Sequence, residues 1–321
     1  MTTTSNWIPV SSLARSCLPL PAIDRVAIAH RRLDQVLGRA PRVPFDDDSR
    51  IVLLSDCHRG DGGPTDAFAP NERLFCSVLQ RYNREAFSYV EVGDGDELWH
   101  NRQMADICAA HPRAFELLHQ LDRHSRLHLL LGNHDLHSPL SDQIEKDGLV
   151  AHEGLVLEHA VTGQQIFVVH GHQADLKSDA LSPLSRLLIR RVWRPLQRLG
   201  LGHHTAPDTP ARELSRPEAW LRRWVRSDAL AIEDRIRSWL VQRRQVTICG
   251  HTHLPASAAP GAPPYFNTGS CTVAGQLSGL EIDGGWITPV RWLGRPSPPD
   301  GDIPRTVRQC TGPSRRLATL S

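Results

Sequence analysis

Five short segments of the chain carry side chains that bind divalent metals. They are Asp56-Cys57-His58, Gly93-Asp94-Gly95-Asp96-Glu97, Gly132-Asn133-His134-Asp135, His170-Gly171-His172 and Gly250-His251-Thr252-His253. Carboxylate, imidazole and amide oxygen suit manganese, iron, zinc or cobalt, and no thiolate is required. The chemistry such ions offer is activation of water and neutralisation of charge on an attacked group. The 17 histidines of the chain outnumber its Phe, Tyr and Met together, and six of them lie in these segments.

Each segment directly follows a short apolar run, at 51–54, 88–92, 127–131, 166–169 and 246–249. Such runs of Val, Ile and Leu predict strands buried on both faces of an α/β protein. Strands that release Asp, Asn or His at their C-terminal ends gather those side chains at the sheet edge where ligands bind. In D-x-H and H-x-H, the alternation of an extended chain would turn both outer residues to one side. Gly93, Gly132 and Gly250 would let the backbone turn tightly beside the ions.

The remaining elements follow from periodicity. Helices are predicted over 22–38, with Gly38 as the C-cap, and over 71–86 and 103–123. Further strands are predicted at 265–268, 278–283 and 286–293, the last two joined by Asp283-Gly284-Gly285. The interval 174–245 reads as a mostly helical, locally basic insert. Within it, 181–199 places leucines on one helical face and arginines on the other, a pattern fit for peripheral membrane contact. The domain reading is a helical extension at 1–49, a core at 50–293 interrupted by the insert, and a proline-rich disordered tail at 294–321.

Composition removes other classes. Lys and Arg number 37 against 35 Asp and Glu, and this balance argues against a nucleic-acid partner. Seven scattered cysteines without a C-x-x-C pair predict reduced thiols, hence a cytoplasmic protein without a disulfide framework. No run approaches the roughly 18 apolar residues of a membrane span, and the N-terminal stretch lacks the pattern of a secretory signal.

The series D-x-H, G-D-x-x-[DE], G-N-H-[DE], H and G-H-x-H resembles the calcineurin-like metallophosphoesterase superfamily over roughly residues 50–293. The resemblance implies a two-sheet sandwich flanked by helices, with a dinuclear metal centre at one edge. Asp56, His58 and His253 would hold one ion, and Asn133, His170 and His251 the other. Asp94 would bridge both, and manganese ranks first among the candidate metals. His134 would be a catalytic residue that is not a ligand, aiding departure of the leaving group after attack by a hydroxide shared between the ions. Asp135 would orient His134, and Glu97 would accept a hydrogen bond near the centre. Cys57 should point away from the metals as a neutral thiol.

The insert between the last two histidine motifs is similar to that of UDP-2,3-diacylglucosamine pyrophosphatases. The continuation His172-Gln173-Ala174-Asp175 departs from the acidic-threonine one of those enzymes. The expected substrate is therefore a phosphorylated small molecule. Arg102, His172 and Asp175 are candidate contacts to it. The alternatives are a nucleotide-lipid pyrophosphatase at the membrane surface, and a protein-binding scaffold on the same fold.

Overall fold

The computed structural model describes residues 24–99, 101, 103–135, 143–176, 216–294 and 306–320. Two mixed sheets are stacked between helices. The first has the order β1 (Arg42–Phe45), β7 (Gly154–His159), β8 (Gln165–Val169), β9 (Val246–Cys249) and β10 (Tyr265–Asn267). The second runs β13 (Thr306–Cys310), β12 (Trp286–Gly294), β11 (Gln276–Asp283), β2 (Ile51–Leu54), β3 (Ser88–Val92), β4 (Leu127–Leu130), β6 (Leu149–His152) and β5 (Gln143–Lys146). A short β14 (Arg315–Arg316) also pairs with β12.

Strands that are apolar at every position need cover on both faces, and the packing supplies it. Ile51 and Leu53 point into the core between the sheets, with Val90, Leu130, Leu157, Ile166 and Ile248. Val52 and Leu54 point the other way, toward α2 (Glu72–Arg84) and α4 (Pro112–Arg123), where Phe75, Leu79 and Leu117 meet them. The outer face of the first sheet is covered by α1 (Arg25–Arg39) and α5 (Arg216–Arg243). There Leu33 and Val36 pack with Phe167, Ile236 and Trp239. β2, β3 and β4 run parallel, as do β8 and β9, so their C-terminal ends emerge together.

Several elements differ from expectation. The predicted helix over 103–123 is two helices, α3 (Met104–Ala110) and α4, broken at His111-Pro112 because proline's missing N–H permits only a fresh helix start. α1 runs through Gly38 to Arg39, so Gly38 is not its cap. Residues 42–45 of the expected helical extension are an edge strand paired with β7, and α1 is part of the core. The tail is not disordered where described. β13 covers the free edge of β12, and Leu317 and Leu320 are buried in the core between the sheets. The insert appears, among the described residues, as α5 and a 3-10 turn at His172–Ala174, while 181–199 lies outside them. No described helix is long and apolar enough to cross a membrane.

Candidate metal centre

The side chains gather at the C-terminal ends of β2, β3, β4, β8 and β9, but not by strand alternation. Asp56, His58, Asp94, His251 and His253 all have φ between 50° and 65°, the left-handed region that non-glycine residues avoid. The D-x-H and H-x-H side chains are thus aimed by left-handed turns, a correction to the extended geometry expected from the motif. Backbone strain of this kind, repeated at five positions of one edge, is held by tight packing of the loops. Asp56 N donates to Gly93 O at 3.0 Å, His58 N to Asp94 O at 2.9 Å, and Gly250 N to His170 O at 3.0 Å. A Cβ at Gly132 would lie 2.0 Å from Asp94 Oδ1, so only glycine lets β4 end beside that carboxylate.

Asp56, His58, Asp94 and His170 each have one atom fixed by the protein and one left to face the others. Asp56 Oδ2 accepts from the Ser55 hydroxyl and from His251 N at 3.0 Å, leaving Oδ1 opposite His253 Nε2 at 3.0 Å. His58 Nδ1–H donates to Glu97 Oε2 at 3.1 Å, and His170 Nδ1–H donates to the Val92 carbonyl at 2.8 Å. Their Nε2 atoms then converge on Asp94 Oδ2, from 3.8 Å and 3.2 Å. Asp94 Oδ1 is occupied by His134 N at 2.8 Å. Asp56 Oδ1, His58 Nε2, Asn133 Oδ1 and His170 Nε2 are buried with no hydrogen bond of acceptable geometry.

Lone pairs buried without donors are costly unless a cation takes them, so the donor set fits the divalent ions expected of it. Asp56, His58 and His253 form one cluster with ligand atoms within 4.8 Å of one another, and Asp94, His170 and His251 a second. Burial alone would push both carboxyls up. The charges of surrounding histidines outweigh it, holding Asp56 at about 2 and Asp94 well below the usual range.

His134 stands next to both clusters, its ring 4.7 Å from that of His58. Its Nδ1–H donates to Glu97 Oε2 at 2.8 Å. Burial lowers its pKa, but Glu97 and Asp94 overcome this and raise it to about 9. Asp135 does not orient His134 as expected. Its carboxylate accepts from Gly132 N and Asp96 N, each at 2.8 Å, and from Lys146. The reason is geometric: Asp135 turns back under the loop, while Glu97 reaches both His58 and His134 from the neighbouring motif.

His172 lies beside His170, with ring centroids 5.5 Å apart, and burial followed by the charge of His170 holds its pKa well below the ordinary value. Asp175 Oδ2 is 3.5 Å from His251 Nε2. Arg102 lies outside the described residues. Cys57 is fully buried against the Cys271 thiol, and that contact together with burial raises its pKa well above the usual value, so it stays neutral. Sequence reasoning missed Trp99, stacked on His134, and the ion cluster of Arg59, Glu91, Asp96 and Lys146. The run Glu97-Leu98-Trp99 directly after the acidic motif was the available signal for Trp99.

The sequence profile of the calcineurin-like phosphoesterase family matches residues 49–255. Comparison with curated proteins gives no match. Among solved structures the chain is similar to vacuolar protein sorting 29 from Cryptosporidium parvum. The identity is 11% and the TM-score 0.37, covering 81% of this chain and 96% of that one. With its profile match spanning more than half its length and both sheets in place, this chain belongs to the calcineurin-like phosphoesterase family.

Proposed function

We propose that the protein hydrolyses a phosphate mono-, di- or pyrophosphoester of a small molecule, using two divalent ions held at this edge. The observation that carries the reading is a set of four buried, unpartnered ligand atoms on Asp56, His58, Asn133 and His170, of which those of His58 and His170 face Asp94, with His134 N bonded to the same carboxylate. Asp56, His58 and His253 would hold one ion, Asn133, His170 and His251 the other, and Asp94 both. Bound there, the ions supply Lewis-acid stabilisation of phosphoryl oxygens and a water of lowered pKa.

The protein's own part is orientation and proton handling. Glu97 occupies His134 Nδ1, which leaves Nε2 as the nitrogen to meet the leaving oxygen. A proton delivered at that atom lets a poor leaving group depart as an alcohol. His172 and Asp175, next to the His170–His251 half, are assigned to substrate contact. A scaffold that had given up catalysis would have no reason to retain unpaired lone pairs at a cost to stability, which favours the enzyme over that alternative.

The test is hydrolysis of p-nitrophenyl phosphate and its bis ester after chelation and reloading with Mn²⁺, Fe²⁺, Zn²⁺ or Co²⁺. Turnover restored by at least one metal and abolished again by chelator is the expected result. Inertness with every metal on mono-, di- and pyrophosphoesters would leave the scaffold as the better reading.

A further inference from the structure

Trp99 lies flat on His134, with ring centroids 4.3 Å apart and planes 20° from parallel. Its indole Nε1–H donates to the Asn133 carbonyl at 2.5 Å, and its backbone N–H donates to Glu97 Oε1 at 3.1 Å. One side chain therefore touches the His134 ring and restrains the peptide that precedes it, while its own backbone helps hold the carboxylate that pairs with Nδ1. At 8% exposure the indole also screens one face of the imidazole from water.

The hydrogen bond to Glu97 fixes one atom of His134 but not the ring plane. An imidazole held only at Nδ1 can swing about that contact and carry Nε2 out of line with a leaving oxygen. The edge-on contact with His58, at 82° between planes, limits the swing on one side. The indole, stacked face to face, limits tilt of the ring as a whole.

We propose that Trp99 is a positioning residue for His134, setting the plane in which Nε2 meets the leaving oxygen; the proposal rests on the role given to His134 above. A residue that acts through a proton donor has a distinctive consequence. A leaving group that departs as a stable anion gains little from protonation, whereas a basic one depends on it. The contribution of Trp99 must therefore grow with the basicity of the leaving group. A residue that merely filled volume would affect all esters alike.

The experiment compares phenyl phosphate with 2,4-dinitrophenyl phosphate, using the full chain loaded with the metal that supports turnover. The wild type, Trp99→Leu, Trp99→Phe and His134→Ala are measured. Trp99→Leu should lose about tenfold to a hundredfold in kcat on phenyl phosphate and less than about threefold on the dinitrophenyl ester. Its metal content should stay unchanged. Trp99→Phe, which keeps an aromatic face but not the N–H, should fall between it and the wild type. Equal losses on the two esters, or no loss on either, would overturn the proposal.

A second measurement needs no turnover. In the metal-free wild type the His134 Hε1 proton, identified by its absence from His134→Ala, should be shifted upfield by the indole ring current. It should move downfield in Trp99→Leu. An unshifted wild-type signal would overturn the stacking itself, even where activity is normal. If the wild type hydrolyses no ester, the phosphoesterase reading fails, and this proton alone decides whether Trp99 orients His134. Should Trp99→Leu fail to fold, Trp99→Phe carries the ester comparison, and the upfield position of the wild-type proton carries the second measurement.

Discussion

Two buried polar clusters lie side by side at the same sheet edge, and they are built on opposite terms. In the first, Asp56, His58 and His170 bury unpaired atoms, and the two imidazoles face the carboxylates of Asp56 and Asp94 across 3.2–3.9 Å. In the second, Arg59 holds Glu91 through two bonds of 2.7 Å and Asp96 through another of 2.7 Å. Lys146 completes it, 2.9 Å from Asp96 and bonded to Asp135. Both clusters are withdrawn from water, yet only in the second does every carboxylate lie against an arginine or a lysine. A buried polar group is tolerated when its partner is in the chain; where the partner is missing, the chain is built for a ligand. The paired cluster also links the loops that follow β2, β3 and β4, so it braces the unpaired one.

The largest effect should come from removing the shared atom of the unpaired cluster. Asp94→Asn retains the acceptor for His134 N but replaces the oxygen that faces both His58 and His170. Hydrolysis should fall about a thousandfold or more, and bound metal should drop with it. Elemental analysis beside the kinetics checks both. The metal-free unfolding midpoint should move far less than for variants of the paired cluster. A variant that kept both ions and turnover would show that the two clusters do not differ in this way.

Breaking the paired cluster should do the reverse. Arg59→Leu strands Glu91 as a buried charge and leaves Asp96 with Lys146 alone, and the expected loss is about 3–5 kcal/mol of folding stability. Arg59 is fully buried, so solvent cannot compensate. Denaturant unfolding of the metal-free protein measures it. A loss below about 1 kcal/mol would mean that water or rearrangement satisfies the carboxylates, and the bracing role would fall.

Glu97 ties the unpaired cluster to His134, since one oxygen serves His58 and His134 together. Glu97→Gln should lower turnover by about 10- to 100-fold, the usual loss when the partner of a ligand histidine is altered. Glu97→Asp is sharper. One methylene shorter, it cannot span both rings, so metal affinity and kcat should no longer fall together. Titration with Mn²⁺ and steady-state kinetics separate the two, and a parallel decline in both would show that a single contact matters.

The architecture and the five motifs were legible because they depend on local sequence. Unbroken apolar runs require burial on both faces, and Asp, Asn and His directly after them must share an edge. What lay hidden depended on distance or on backbone torsion. Lys146 enters the Asp96–Asp135 pair from β5, far from any motif, and no periodicity marks it. The tail looked disordered because its prolines and arginines outweigh its apolar residues. Yet β12 supplies the ladder, and Arg308 reaches across β12 to Glu281 on β11 at 2.8 Å. Asp135 was assigned by adjacency to His134, and adjacency is a poor guide where each successive residue turns to a different side.

The smallest effect tests a paired histidine remote from the unpaired cluster. His111 Nε2–H donates to Asp66 Oδ2 at 2.8 Å, and its Nδ1 faces Glu72 Oε2 at 3.1 Å. Asp66 in turn accepts from the backbone N–H of Gly62, Phe68 and Ala69, so the pair anchors the loop between β2 and α2. Burial pushes the His111 pKa down, but Asp66 and Glu72 outweigh it and leave the value raised. A raised folded-state pKa gives stability that is fully present below the unfolded value of about 6.5 and is lost as pH climbs through the folded one. The stability gap between the wild type and His111→Gln should therefore be about 1 kcal/mol wider at pH 6 than at alkaline pH. Amide exchange at Phe68 should quicken over the same interval in the wild type and stay level in the variant. A gap of constant width would mean that His111 is held as a neutral donor, placing it with the core polar groups rather than with the charged pairs.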